Sequence, residues 1–240
     1  MNVLSIGNSF SQDAHRYLHQ LAAKEGVPMH VVNLYIGGCS LRTHYLNMLG
    51  DKEAYSLECN GVYTQINVCI RQALESMEWD VVTLQQASHF SFDKETYFPY
   101  VEALAAYVRK YCPRAKIYIH ETWAYEDGSA RLTEIAGYNA ADKMLADIQN
   151  AYALAAKAVN AYGIIRCGTA MMEALSLGAE KVHRDTFHAS LGLGRYLLAL
   201  TWYKTLTGKD ISANAFNDFD EAVGEKEREI AIKAVNSIVK

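Results

Sequence analysis

Three side chains in this chain have the types and spacing of a nucleophilic site. Ser9 lies in "LSIGNSFSQDA", where a short apolar run climbs to Gly7 and breaks into Asn8 and Ser9. Asp185 and His188 lie in "HRDTFHAS", three positions apart. A serine hydroxyl is a poor nucleophile until a base takes its proton. That base is usually a histidine, which needs a carboxylate to fix its tautomer and stabilise its cation. Asp185 and His188 have the spacing of one turn, which sets a carboxylate beside the imidazole. An oxyanion formed at Ser9 would also need preorganised donors. The backbone N–H groups of Ser9 and Gly38 and a side-chain amide from the third strand end would supply them. A second reading of Ser9 competes: a helix cap, or a loop whose hydroxyls and amides cradle a phosphate. In that reading the protein is a flavin-, phosphate- or glycan-binding module, and Asp185 and His188 have no task. Asp185 has its own alternative, a salt bridge to Arg184 or Arg195.

The elements that must position these groups follow from periodicity. Five short β-type runs recur, at Val3–Ile6, His30–Leu34, Val81–Gln85, Lys116–His120 and Ile164–Cys167. Apolar, mostly β-branched runs of this length suit strands buried on both faces of a parallel sheet. Helical patterns fall at 12–25, 66–78, 94–111, 138–160, 190–206 and 220–238, with Ser190 as a cap for the fifth. Strand and helix alternate. The expectation is an α/β fold, an open doubly wound sheet of five mainly parallel strands with helices on both faces. The segment "YSLECNGVYTQI" (55–66) interrupts this rhythm. Its Asn60-Gly61 pair is a hairpin-turn signal, read as a small excursion before the third strand. No linker or repeat divides the chain, so residues 1–240 are expected to form one domain.

In such sheets ligands bind past the carboxyl ends of the strands. Polar and glycine residues gather there: Asn8 and Ser9; Gly37, Gly38 and His44; Gln85, Gln86 and Ser88; His120, Glu121 and Trp123. His15 and His19 stand four apart on the first helix, the spacing of a metal pair, but no third ligand is near and no metal is expected.

The blocks "IGNSF", "GGCSLRTH", "WDVVTLQQAS" and "RDTFHASLGLGRYL", in this order and spacing, resemble the SGNH (GDSL-type) hydrolases, in particular a largely uncharacterised branch of that superfamily. The resemblance runs from residue 3 to about 206. It implies a three-layer flavodoxin-like fold and ester hydrolysis through an acyl-enzyme, with Ser9 as nucleophile, His188 as base, Asp185 as its orienting acid and the Gly38 amide as an oxyanion donor. It also implies a small ester substrate, such as a short acyl group on a carbohydrate, and no cofactor. Two positions depart from the superfamily pattern: Asn8 replaces an aspartate, and "LQQAS" replaces Gly-x-Asn on the third strand. Gln85 is the expected oxyanion amide and Gln86 its rival, because successive strand residues face opposite ways. Asn8, Gln86, His44 and Trp123 are the expected substrate contacts, Trp123 by stacking on a sugar ring.

Bulk properties exclude other classes. Half of the 240 residues are apolar and the formal net charge is −4, which offers nothing to nucleic acid or an anionic membrane. No apolar run reaches a membrane span. The N-terminus lacks a signal-peptide pattern, which leaves a cytoplasmic protein or one whose leader has been removed. The five cysteines are odd in number and scattered, so free buried thiols are expected.

Overall fold

The computed structural model describes residues 1–239. One sheet runs through the molecule in the order β4-β3-β2-β1-β5-β6-β7. The strands are β1 (Asn2–Gly7), β2 (His30–Tyr35), β3 (Tyr55–Cys59), β4 (Val62–Val68), β5 (Val81–Leu84), β6 (Lys116–Glu121) and β7 (Gly163–Arg166). β2, β1, β5, β6 and β7 are parallel, and they are the five strands expected from the apolar runs. Their order is that of a doubly wound flavodoxin-type sheet.

The sheet has seven strands rather than five. Asn60 and Gly61 both take positive φ, 53° and 81°, which is the two-residue turn whose twist matches a hairpin. The hairpin it makes does not stand apart as an excursion. β3 folds back antiparallel on β2, with Leu57 opposite Leu34, and β4 adds the outer edge. β2 would otherwise be an edge strand with unpaired backbone groups, and β3 satisfies them.

The helices are α1 (Ser9–His15), α2 (Leu18–Lys24), α3 (Leu41–Leu49), α4 (Ile70–Glu75), α5 (Tyr100–Tyr111), α6 (Ala141–Ala158), α7 (Cys167–Ser176), α8 (Leu193–Thr207) and α9 (Glu225–Ile238). The pattern at 12–25 is two helices broken at Arg16–Tyr17, and it begins three residues earlier than expected because Asn8 caps it. The pattern at 94–111 shrinks to α5, with Pro99 at its N-cap. Strand alternation sorts the core into two layers. Val3, Val31, Val81 and Ile165 face the layer containing residues of α1, α2, α7, α8 and α9. Leu4, Leu34, Val82, Leu84 and Ile119 face the layer containing residues of α3 to α6. All five cysteines are free; Cys59 is half-buried and the others are buried. Among the described residues no helix is long and apolar enough to cross a membrane.

Candidate active site

Ser9 is the first residue of α1, immediately past the end of β1. Asn8 makes that sharp turn possible. Its backbone is extended, and its Oδ1 accepts the Phe10 N–H at 3.0 Å, so it caps the helix while the chain reverses. Ser11 closes the box: its Oγ accepts the Asn8 N–H at 3.0 Å and donates to Asn33 Oδ1 at 2.8 Å. This explains Gly7, since a Cβ there would lie 2.0 Å from Ser11 Oγ. The helix start leaves the Ser9 N–H among its orphan donors.

The loop between α7 and α8 carries His188 to Ser9. The Ser9 hydroxyl donates to His188 Nε2 at 2.9 Å, and His188 Nδ1 donates to Asp185 Oδ2 at 2.8 Å. The other oxygen of Asp185 accepts the His188 backbone N–H at 2.8 Å, so the three-residue spacing closes on itself. Partial burial works to raise the Asp185 pKa. The hydrogen bonds from the His188 ring and backbone outweigh it and hold the carboxyl below its usual range. Asp185 is therefore an anion at neutral pH.

Arg184 and Arg195 do not pair with Asp185. They converge on Asp13 of α1, which is fully buried. Arg184 reaches both carboxylate oxygens at 2.9 Å and Arg195 reaches one at 2.9 Å. Asp13 also accepts the Ala189 N–H at 3.2 Å. The helix that carries the nucleophile thus holds the loop that carries the base. The N-cap of α8 is Gly192 rather than the expected Ser190, which lies two residues earlier and accepts the Gly194 N–H at 2.8 Å.

Ser9 and His188 line a cleft of about 270 Å³ with Asn8, Phe10, Tyr35, Gly37, Gly38, Ser88, His89, Arg131 and Phe187. Gly38 has φ of +63°, a conformation that suits glycine and turns this loop against the cleft. A second cleft, of about 340 Å³, lies along Trp123–Asp127 and is lined by none of Ser9, Asp185 or His188. The chemistry selects the smaller one.

Four expected site residues are placed elsewhere. Gln85 does not turn its amide to the cleft: Nε2 donates to Asn8 Oδ1 at 2.6 Å, and Oε1 accepts from His120 Nδ1 at 2.6 Å. Gln86 accepts from the Leu41 and Ala87 N–H groups and donates to Thr96, which ties the strand end to neighbouring loops. His44 is fully buried, bonded to the Tyr55 hydroxyl at 2.9 Å, with its pKa lowered to about 3 by burial. Trp123 is 1% exposed, with Phe10 stacked at 4.1 Å, so no sugar reaches its face. Its Nε1 donates to Phe187 O at 2.7 Å and steadies the His188 loop. Asn8 does line the cleft, but its amide is committed to the cap, to Gln85 and to Cys39 O. His19 Nδ1 bonds Met29 O and His15 Nε2 bonds Ser5, so the pair does not converge on a shared ligand. Glu121 accepts the Thr169 N–H and hydroxyl, both at 2.8 Å, at the start of α7. Tyr35, His89, Arg131 and Phe187 were not singled out. Only Phe187, beside His188 in sequence, carried a local signal.

The sequence profile of DUF4886, a domain of unknown function, matches residues 2–237, and the chain belongs to that family. A DUF4886 family protein from Bacteroides uniformis is 32% identical with a TM-score of 0.90, over 99% of this chain and 93% of that one. A protein from Slackia heliotrinireducens, provisionally described as an SGNH hydrolase, is 24% identical with a TM-score of 0.61, over 86% of this chain and 98% of its own. A variant of a Geobacillus acetyl-xylooligosaccharide esterase is 16% identical with a TM-score of 0.56, over 86% of this chain and 94% of that one. The chain is thus a DUF4886 protein whose fold is like that of SGNH hydrolases. No curated protein matches it.

Proposed function

We propose that this DUF4886 protein is a serine hydrolase that cleaves small carboxylic esters through an acyl-enzyme on Ser9. The carrying observation is the unbroken chain from Ser9 Oγ to His188 Nε2 at 2.9 Å and from His188 Nδ1 to Asp185 at 2.8 Å. In acylation, Ser9 Oγ bonds to the ester carbonyl carbon while its proton passes to His188 Nε2. The carbonyl oxygen becomes an oxyanion and takes hydrogen bonds from the Ser9 and Gly38 N–H groups. When the bond to the alcohol oxygen breaks, His188 returns the proton to it and the alcohol leaves. Water then attacks the acyl-enzyme, again through His188, and releases the acid. Asp185 stays ionised throughout and supports the imidazolium.

The size of the cleft fits a short acyl group. The fold shared with an acetyl-xylooligosaccharide esterase supports an O-acylated carbohydrate as the class of substrate. The phosphate-binding reading is weaker, because the hydroxyl of Ser11 and the amide of Asn8 are already bonded within the turn.

Incubation with a fluorophosphonate, followed by intact mass and peptide mapping, tests this without knowledge of the substrate. We expect one adduct, on Ser9, that is lost in His188→Ala. Ser9→Ala and His188→Ala should each lower ester turnover by on the order of 10³–10⁶-fold with the fold intact. A folded protein that takes no adduct rejects the proposal.

A further inference from the structure

The Ser9 cleft has a cation that the hydrolytic steps do not use. Arg131 begins a single wide turn over Arg131–Ile135, closed by the bond from Ala136 N–H to Arg131 O at 3.0 Å. Such five-residue turns are rare and concentrate at functional sites. The guanidinium carbon lies 3.9 Å from the centre of the Phe187 ring and 5.6 Å from that of Tyr125. Those two rings meet edge to face at 6.1 Å and form a cradle. Among the described residues Arg131 forms no salt bridge. None of the residues lining the cleft is an aspartate or glutamate. The charge is felt within the cleft: the His89 pKa is lowered by burial and then by Arg131. This positive spot stands in a chain whose formal net charge is −4, so it is a local feature.

We propose that Arg131 determines specificity by receiving a carboxylate carried on the alcohol portion of the ester. The inference rests on the hydrolase reading above. The direction follows from the proton path. His188 must hand its proton to the departing oxygen, so the alcohol leaves on the side of His188. Phe187 precedes His188, and their rings lie 3.9 Å apart, so the guanidinium over Phe187 stands on that same side. Gly38, the oxyanion donor, comes from the β2–α3 loop instead. A guanidinium already stacked on aromatic rings loses little freedom on binding, and its planar fork suits a carboxylate. An O-acylated sugar acid has this chemistry.

The probe pair is 4-acetoxybenzoate and 4-acetoxybenzamide, which differ in a single charge on the alcohol portion. The readout is the ratio of their kcat/KM values, compared between the wild type and Arg131→Gln. We expect the ratio to be about tenfold higher in the wild type, the scale of one charge-assisted hydrogen bond. In the wild type alone, added salt should erode the ratio, because part of the interaction is screened. That measurement stands even if the variant folds poorly. If Arg131 only braces Phe187, the substitution slows both esters alike and salt leaves the ratio flat, which overturns the proposal while the hydrolase reading stands. If neither ester is cleaved and Ser9 takes no fluorophosphonate, both readings fall together.

Discussion

Gln85 occupies the strand end where a short amide is expected to face the oxyanion, yet both ends of its carboxamide are bonded behind the nucleophile. Its Nε2–H is one of two donors on Asn8 Oδ1, and its Oε1 is the acceptor for His120 Nδ1. Asn8 in turn fixes the turn that presents Ser9. Gln85 is thus a positioning residue, and its removal has a different signature from the loss of an oxyanion donor. Gln85→Ala leaves a buried imidazole N–H without an acceptor and takes one donor from Asn8. The cost should be about 1–3 kcal/mol of stability, which for a chain of this size lowers the melting temperature by roughly 2–12 °C. Turnover should fall by less than about tenfold, the loss of 1.4 kcal/mol. Thermal melts and ester kinetics on the same preparation decide the matter. A loss of on the order of 10²–10³-fold with an unchanged melting temperature would return Gln85 to the oxyanion hole.

At the scale of elements, the site is a junction between α1 and the loop before α8, and Asp13 is its rivet. Asp13 is fully buried and takes both Arg184 and Arg195, while Arg195 and Arg16 share Asp220. Removing the Asp13 charge strands Arg184, while Arg195 keeps Asp220; both arginines are partly exposed, so the cost falls below the figure for a fully buried pair, to about 2–3 kcal/mol. Asp13→Asn should therefore lower the melting temperature by roughly 4–12 °C. It should also slow ester turnover, because the His188 loop loses its anchor. An unchanged melting temperature would show that the arginines find other partners. This rivet was hidden in the sequence, since Arg184 and Asp13 are 171 positions apart and nothing local links them. What was visible was local. The five parallel strands were plain because each is a short apolar run, and the Asp185–His188 unit because its partners are three apart. The Asn60-Gly61 turn was plain too, but its pairing onto β2 is a long-range choice. α3 and α7 were missed: α3 follows a glycine loop, and α7 begins directly at the end of β7. Period two placed Gln85 and Gln86 on opposite faces without revealing their partners. Residue type could not say that Phe10 covers Trp123, and this is why a ring read as a sugar platform is a wall of the core.

At the scale of the molecule, the sheet encloses histidines that work only when neutral. His15 and His120 each meet the Trp202 ring in a T-shaped contact, with ring centres 4.8 and 4.9 Å apart, in the layer beneath α8. His44 stacks on Tyr55 in the opposite layer. Burial lowers all three pKa values to about 3, with the neighbouring His15 adding to the effect at His120. The sign of the linkage follows. In the unfolded chain these imidazoles take up protons near their ordinary value of about 6.5, while in the folded chain they do so only near 3. Between those values the unfolded state binds more protons, so stability is fully present above about pH 6.5 and declines as pH falls towards 3. Each histidine costs about 1.4 kcal/mol per pH unit in that window, so three together remove about 4 kcal/mol by pH 5.5. That figure does not depend on where the folded values lie, provided they are well below 5.5. Glu58 and Glu121 run the other way, because burial raises their pKa values and the folded state protonates them first. They offset part of the loss. Against a typical total of 5–15 kcal/mol, the net change is large. Urea melts at pH 7.5 and 5.5 should therefore show a marked fall in the midpoint at the lower pH. Equal midpoints would mean that these imidazoles take up protons inside the folded protein, and that the Gln85–His120 contact behind Ser9 survives with a charged ring.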